Sequence, residues 1–496
     1  MIKQKFLVHF GSNFIIQILT MIAGLVVARV AGPQVVGVIS YGTAYVGIWL
    51  FITGTFGSGH IKLISEGQDI GRCIKVYSRI FYCSLILYFI TVSGFFIIQK
   101  YVLRVGFESK TQEIVVILSL LIAVLSKYYE YNNTTFTATM EQAKANLPDL
   151  IKGIAWQISR IVVVIVGFRA IGLTAWNAII TLLFIPLVWK LLKKYPGTVW
   201  DQQLFRKYVS YAIPIFLIVV IDSIIHYSDK LLLAHFTNAT ELGYFSAANT
   251  IGGMITLASS SIGFIFFPLF SSLIAKKKWE VVRQKIIQYQ ELLSLFVFPL
   301  VCAVILISKP LLTTVLGAKY GPSVVPFMII ALASYVILVG MPYGNIISGA
   351  GLFYLGVRIN LIKLAVFIPS IVFFVSPKFL NLGAVGVAMN LLIVNISYNY
   401  FYLFYARQIS GYSFFHGRNI ARYVLASVVA MVFYERHNIL ANWFSLWWIV
   451  AVPAYLSIVY GVMWIFGLMK KEYIKNIMEI VSPRKILNYV KNELGN

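Results

Sequence analysis

VVARVAGPQVVGVISYG (residues 26–42) and LLAHFTNATELGYFSAA (residues 232–248) are the stretches whose comparison decides the fold. Laid over each other without a gap, they place Ala28 on Ala234, Gly37 on Gly243 and Ser40 on Ser246. Each closes a long apolar run, turns within a few residues and opens another. An internal repeat of this kind in an apolar chain is the mark of a transporter built from two lobes.

Composition agrees. Hydrophobic residues make up 59% of the chain and charged residues 12%, against roughly half and a quarter in soluble domains. Mean hydropathy is +0.83 over 496 residues. These values describe a polytopic membrane protein, and such a chain crosses lipid as helices. Cys73, Cys83 and Cys302 are too few and too scattered for a disulfide framework or a metal site. Lys3 and Lys5 precede an apolar run long enough to span, so the first run is taken as a retained helix and not a signal peptide.

The expected fold is all-α, with about 14 spans near 10–28, 36–57, 80–98, 114–137, 153–168, 173–189, 210–234, 243–271, 290–308, 323–346, 359–376, 383–405, 423–435 and 444–468. With the N-terminus inside, 28 of the 41 Lys and Arg fall on the cytoplasmic side, nine fall outside and four lie within spans. That bias places both termini in the cytoplasm. It also explains most of the +24 net charge as topology and anionic-lipid contact, with no call for nucleic acid.

The two stretches lie six spans apart. Their copies share one orientation and relate by an axis along the membrane normal. Residues 1–200 form an N-lobe of spans 1–6 and residues 201–410 a C-lobe of spans 7–12 around a central cavity. Residues 411–468 add spans 13 and 14. Residues 469–496 form a cytoplasmic tail, whose Ile474, Ile477, Met478 and Val481 among Lys and Arg suggest an amphipathic helix on the membrane surface.

No loop exceeds roughly two dozen residues, too few for a folded domain. There is no Walker A sequence, no H-E-x-x-H and no His/Cys cluster. Neither a cofactor nor a bound metal is expected, and an enzyme is not. Glu108 and Glu113 in the longest outside loop form no catalytic pattern.

Ionisable residues inside spans mark the site. Span 4 carries Lys127, Glu130, Asn133, Thr134 and Thr137 on one helical face. Span 5 has Gln157 and Arg160. Span 7 has Asp222, His226 and Asp229 on one face, with Lys230 beside them. Lys363 lies in span 11, one turn inside, where it could also snorkel to the interface. Arg29 closes span 1. Each mid-bilayer charge costs on the order of 3 kcal/mol. These groups must therefore pair or face a wet interior. Local pairing can join Lys127 with Glu130 and Asp222 with His226, but it leaves Arg160 without a partner in its own span.

The set is more cationic (Arg29, Lys127, Arg160, Lys230, Lys363) than anionic (Glu130, Asp222, Asp229), which suits a phosphate or pyrophosphate head group. Tyr41, Tyr45, Trp49, Tyr128, Tyr129, Tyr131, Trp443, Trp447 and Trp448 near span ends suggest an interfacial aromatic belt. Asn390, Asn395 and Asn399 suggest helix–helix hydrogen bonds.

Three stretches resemble one family. ARVAGPQVVGVIS (28–40), DKLLLAHFTNATELGYFSAA (229–248) and LGAVGVAMN (382–390) are similar, in order and spacing, to the polysaccharide-transport branch of the multidrug/oligosaccharidyl-lipid/polysaccharide exporter superfamily. One departure is Pro33, opposite which Ala239 stands. The resemblance implies two six-helix lobes around a cationic cavity. It also implies a flippase that carries an undecaprenyl-diphosphate-linked oligosaccharide (an O-antigen unit or similar surface polysaccharide, as in lipopolysaccharide synthesis) to the periplasmic leaflet of a bacterial inner membrane.

Arg29 and the Asp229–Lys230 pair are carried over on motif match; Lys127, Arg160 and Lys363 rest on the burial argument. Coupling to a proton or sodium gradient through Asp222, His226, Asp229 or Glu130 is a further expectation. So is collaboration with a polysaccharide polymerase and chain-length machinery. A cation-coupled antiporter of organic cations, or a membrane glycosyltransferase or polymerase, remains open at this point.

Overall fold

Twenty α-helices and no strand make up the described residues of the computed structural model, which are 2–414, 417–443 and 447–469. The cytoplasmic tail expected to be amphipathic lies outside them. The first eleven helices are α1 (Ile2–Ala31), α2 (Pro33–Gly47), α3 (Phe51–Gly54), α4 (Phe56–Ser65), α5 (Ile70–Ile97), α6 (Lys110–Ala138), α7 (Gln142–Ile165), α8 (Ala170–Leu183), α9 (Ile185–Leu192), α10 (Gln202–Phe236) and α11 (Ala239–Gly252). The remainder are α12 (Met254–Ala275), α13 (Trp279–Leu292), α14 (Phe298–Leu306), α15 (Ser308–Leu316), α16 (Val324–Gly349), α17 (Phe353–Val375), α18 (Gly383–Ser410), α19 (Gly417–Trp443) and α20 (Trp447–Ile465).

A helix stands at each expected span. Among the described residues seven helices are long and apolar enough to cross a membrane, and nine if two bent pairs are each one span. One bent pair is Pro33–Gly47 with Phe51–Ser65, which turns by 51°. α7 is not among the seven because it carries Lys144, Asp149, Lys152 and Arg160. Elsewhere the apolar surface is what lipid requires. Ile86, Leu87, Phe89 and Ile90 on α5 are all more than half exposed, a density of bare apolar side chains that water would not tolerate.

Packing separates the chain into two compact units, residues 1–250 with 364–387, and residues 251–363 with 388–496. The packing units and the sequence repeat are thus two different divisions of the chain, since α10 and most of α11, which open the second copy, pack within the first unit.

Local chemistry explains the helix starts. Asp69 accepts from the Arg72 N–H (2.8 Å) to cap α5, Ser109 from Gln112 (3.2 Å) to cap α6, and Asp201 from Gln203 and Leu204 to cap α10. The repeated turns differ in how they are made. Gly32 takes φ 83° and Pro33 opens α2, the combination a helix start favours. In the second copy the Asn238 side chain accepts from the Glu241 N–H (2.9 Å), so an Asn cap replaces Gly-Pro and Ala239 can stand where Pro33 does.

The repeated glycines pack on each other. A Cβ on Gly37 would lie 1.6 Å from the Ala239 carbonyl oxygen, and one on Gly243 would lie 1.9 Å from that of Pro33. Ala239 is the repeat equivalent of Pro33, and Gly243 of Gly37. Each glycine therefore meets the partner copy of the same residue, the reciprocal pattern a local two-fold axis produces.

Glu108 has a role the sequence did not show. Its carboxylate accepts the Ala239 N–H (2.7 Å) at the start of α11, where helix N–H groups are otherwise unsatisfied. Glu108→Ala is expected to lower stability by about 1 kcal/mol, read as a shift of the thermal midpoint in detergent.

The second unit has its own core. Cys302, Ala303, Ala426, Tyr455 and Val459 pack together. The Arg422 guanidinium, 1% exposed, donates to the Leu468 carbonyl (2.7 and 3.0 Å), Ser294 Oγ (3.2 Å) and Asn419 Oδ1 (3.1 Å). The expected Asn hydrogen bonds are present in part: Asn399 donates to the Val336 carbonyl of α16.

Candidate functional site

In the first unit, residues of α2, α6, α7, α8 and α10 enclose a cavity of about 330 Å³. Thr43 and Gly47 come from α2, Ser126, Lys127 and Glu130 from α6, Trp156 from α7, Asn177 from α8 and Tyr227 from α10. The break that bends α2 away from α3 and α4 begins at Gly47, on the cavity wall. Broken helices beside a cavity are a recurrent way to build a transport site.

Gly47 has a steric reason. A Cβ there would sit 2.4 Å from the Tyr227 ring. Gly47→Ala is expected to displace that ring and cost about 1–3 kcal/mol, checked by thermal unfolding of the purified protein.

The charge of this cavity is one pair. Lys127 is 7% exposed and its Nζ lies 2.6 Å from Glu130 Oε2; the Glu130 side chain is 46% exposed. The spacing on one face of α6 brings the two together, as the sequence suggests. The buried partner is thus the cation and the accessible one the carboxylate.

The other expected cations do not line this cavity. Arg160 stands behind its wall: its guanidinium stacks 5.7 Å over the Trp156 ring, and Nη2 donates to the Thr20 carbonyl (2.6 Å). Gln157 Nε2 donates to Thr20 Oγ1 (2.7 Å) beside it. These contacts supply across helices the partners Arg160 lacks on its own. Arg29 is exposed at the end of α1. Asp229 is 8% exposed and accepts the Lys230 N–H, while Asp222 and His226 on the same helix are exposed. Lys363 belongs to the second unit and sits 4.8 Å over the Tyr398 ring.

Of Arg29, Lys127, Arg160, Lys230 and Lys363, only Lys127 lines this cavity, which holds one ammonium and one carboxylate. Span-by-span counting locates charge along a helix but does not say which face of the bundle it reaches.

The aromatic belt is also revised. Tyr45, Tyr129 and Tyr131 are buried, at 2%, 1% and 8% exposed. Tyr41 and Tyr45 pack with Phe107, and Trp49 packs with Phe95. Sequence position near a span end does not separate an interfacial tyrosine from a core one, because its ring and hydroxyl suit both. The side chains of Trp443, Trp447 and Trp448 lie outside the described residues. Trp156, Asn177 and Tyr227 were not singled out from sequence. Asn177, the one side-chain amide in AIGLTAWNAIITLL, was the available signal.

Among the described residues no group of three or more His, Cys, Asp or Glu could hold a metal ion. A sequence profile described as "Polysaccharide biosynthesis protein" matches residues 26–325. The chain belongs to the polysaccharide biosynthesis protein family. The match contains every residue that lines the cavity and both repeated turns, 26–42 and 232–248.

Among curated proteins nothing matches this family member. Among solved structures it is similar to the lipid II flippase MurJ in an inward closed conformation, with TM-score 0.68, 16% identity, and 91% of this chain and 98% of that one covered. It is also similar to an inward-facing multidrug resistance MATE transporter of the MOP superfamily, with TM-score 0.63, 12% identity, and 80% and 96% covered. At such identities the likeness establishes the fold: this polysaccharide biosynthesis protein has the all-α architecture of MurJ and MATE transporters.

Proposed function

We propose that this protein is a flippase that moves undecaprenyl-diphosphate-linked oligosaccharide units, of an O-antigen or similar surface polysaccharide, from the cytoplasmic to the periplasmic leaflet of a bacterial inner membrane. Alternating access of the two repeats carries the unit across. The observation that carries the reading is the Lys127–Glu130 pair in the cavity of a polysaccharide biosynthesis family member. Similarity in fold to a lipid II flippase supports it.

The chemistry follows from the pair. A diphosphate oxygen competes with Glu130 for the Lys127 ammonium, which has three hydrogens to donate. The accessible carboxylate yields its place, and the buried cation stays neutralised by the head group. An interior-negative potential then favours expulsion of the anion by roughly 2.3 kcal/mol per charge per 100 mV. Trp156 and Tyr227 offer ring faces to a sugar. Asp222, His226 and Asp229 are the candidate groups for proton or sodium coupling, and a polysaccharide polymerase is the candidate consumer of the product.

Deletion of the gene tests the reading. Single lipid-linked units are expected to accumulate on the cytoplasmic leaflet, protected from a periplasmic oxidant. Accumulation on the periplasmic side instead would identify a polymerase. Arg160→Ala and Lys363→Ala are expected to reduce surface glycan; if both leave it normal, Arg160 and Lys363 have no part in transport.

A second reading, an antiporter of organic cations, is favoured by the likeness to a MATE transporter. It needs an acidic cavity, and here Lys127 neutralises Glu130. Growth with cationic dyes separates the two: only the antiporter would protect cells.

A further inference from the structure

His60 on α4 is fully buried, at 0% exposed, and the transport chemistry above does not use it. Four helices of the first unit meet around it. Its ring stacks on Tyr77 of α5 with centroids 4.1 Å apart, and Tyr77 stacks on Tyr131 of α6 at 5.2 Å. Its Nδ1 lies 2.7 Å from the Tyr208 hydroxyl of α10. Its Nε2 is buried without a hydrogen-bond partner.

The leftover nitrogen does not depend on the tautomer. Tyr208 has one hydrogen to share between His60 Nδ1 and the Cys73 carbonyl, 3.4 Å away. If it goes to Nδ1, Nε2 carries a hydrogen with no acceptor. If it goes to Cys73, Nδ1–H donates to Tyr208 and Nε2 is a bare lone pair. Buried polar atoms are almost always satisfied, so this one is out of the ordinary.

The groups facing the imidazole offer no countercharge. They are Cys73 and Tyr77 from α5, Tyr131 from α6 behind Tyr77, and Tyr208 with Tyr211 from α10. Lys62, two residues on in α4, lies over the Tyr211 ring at 4.1 Å. Glu130 is within electrostatic reach of Tyr77, and Asp69, Asp201 and Lys207 are within reach of Cys73; neither ring nitrogen of His60 hydrogen-bonds to a carboxylate.

We propose that His60 is a proton-binding site whose occupancy loosens the packing of α4 against α5 and α10. A proton from water adds to the imidazole lone pair and makes an imidazolium. Both ring N–H groups then need acceptors and only Tyr208 is present. The packed form binds this proton less well than a form in which Nε2 reaches water, so acid shifts the population toward opening. The sign is definite: packing holds above the ordinary histidine range and weakens as pH falls through it. This inference concerns proton binding and does not rest on the transported substrate.

Cys73 reports it. Its side chain is buried beside Tyr208, Cys83 on the same helix is exposed, and Cys302 is buried in the second unit. The full chain in lipid nanodiscs is treated with N-ethylmaleimide at a series of pH values, and each thiol is quantified by mass spectrometry. The ratio of Cys73 to Cys83 modification cancels the intrinsic pH dependence of the reagent. It is expected to rise at least ~5-fold between about pH 8 and about pH 5.5, with Cys302 still protected. His60→Gln is expected to make the ratio independent of pH. Should that variant open Cys73 at all pH values, Tyr208→Phe decides, since it keeps the ring and removes the hydroxyl: a moved midpoint supports the proposal. A flat wild-type ratio, a rise that persists in a protected His60→Gln, or an unmoved midpoint in Tyr208→Phe overturns it.

Discussion

Gly37→Val is expected to unfold or rearrange the turn contact between α2 and α11, lowering stability by on the order of 3 kcal/mol. The reason is that its Cβ would fall 1.6 Å from the Ala239 carbonyl oxygen. That atom is backbone, so it cannot step aside as a flexible side chain could. Gly243→Val meets the Pro33 carbonyl in the same way, at 1.9 Å. The two substitutions strike one contact from opposite sides, so the double variant is expected to lose much less than the sum of the singles. Thermal unfolding of the four proteins in one detergent measures this. Additive losses would mean that the two glycines serve separate contacts, and the reciprocal packing of the repeat would be wrong.

Lys127→Met is expected to abolish surface glycan while Glu130→Gln reduces it only in part. Lys127 supplies the buried cation, whereas Glu130 holds it only while the cavity is empty. Removing the ammonium also leaves Glu130 facing a mostly apolar wall. Because that carboxylate is 46% exposed, the stability loss should stay well below the 3–5 kcal/mol typical of a fully buried broken pair. The double variant Lys127→Met/Glu130→Gln removes both charges and separates the roles. It is expected to fold at wild-type levels, by fluorescence size-exclusion profile, and still to display no glycan. Normal display from it would remove Lys127 from the mechanism.

The turn at residues 26–42 and its copy at 232–248 were legible in the sequence because glycine is needed where two backbones touch, and that need left Gly37 and Gly243 in register. The Lys127–Glu130 pair was legible too, since positions three apart on a helix face one way. What was hidden depends on neighbours far along the chain. Arg160 finds Thr20 on α1, and nothing in its own span announces it. Glu108 reads as a loop acid until α11 is placed over it. His60 lies past the expected end of span 2, at residue 57, and reads as a loop histidine. The bend after Gly47 carries the chain on through α4 and buries it. Tyr45, Tyr129 and Tyr131 follow the same logic, because only packing distinguishes a core ring from one at the membrane surface.

The most direct measurement is translocation by the purified protein. Proteoliposomes are made with the full chain and a fluorescent undecaprenyl-diphosphate-linked oligosaccharide, and a membrane-impermeant reductant quenches the outer leaflet. If the protein moves this lipid, a second fraction of fluorescence becomes quenchable with time, faster with an imposed membrane potential. Lys127→Met vesicles then keep the protected fraction of protein-free vesicles. A wild-type protected fraction equal to that of protein-free vesicles, or one lost equally fast with Lys127→Met, would contradict the account.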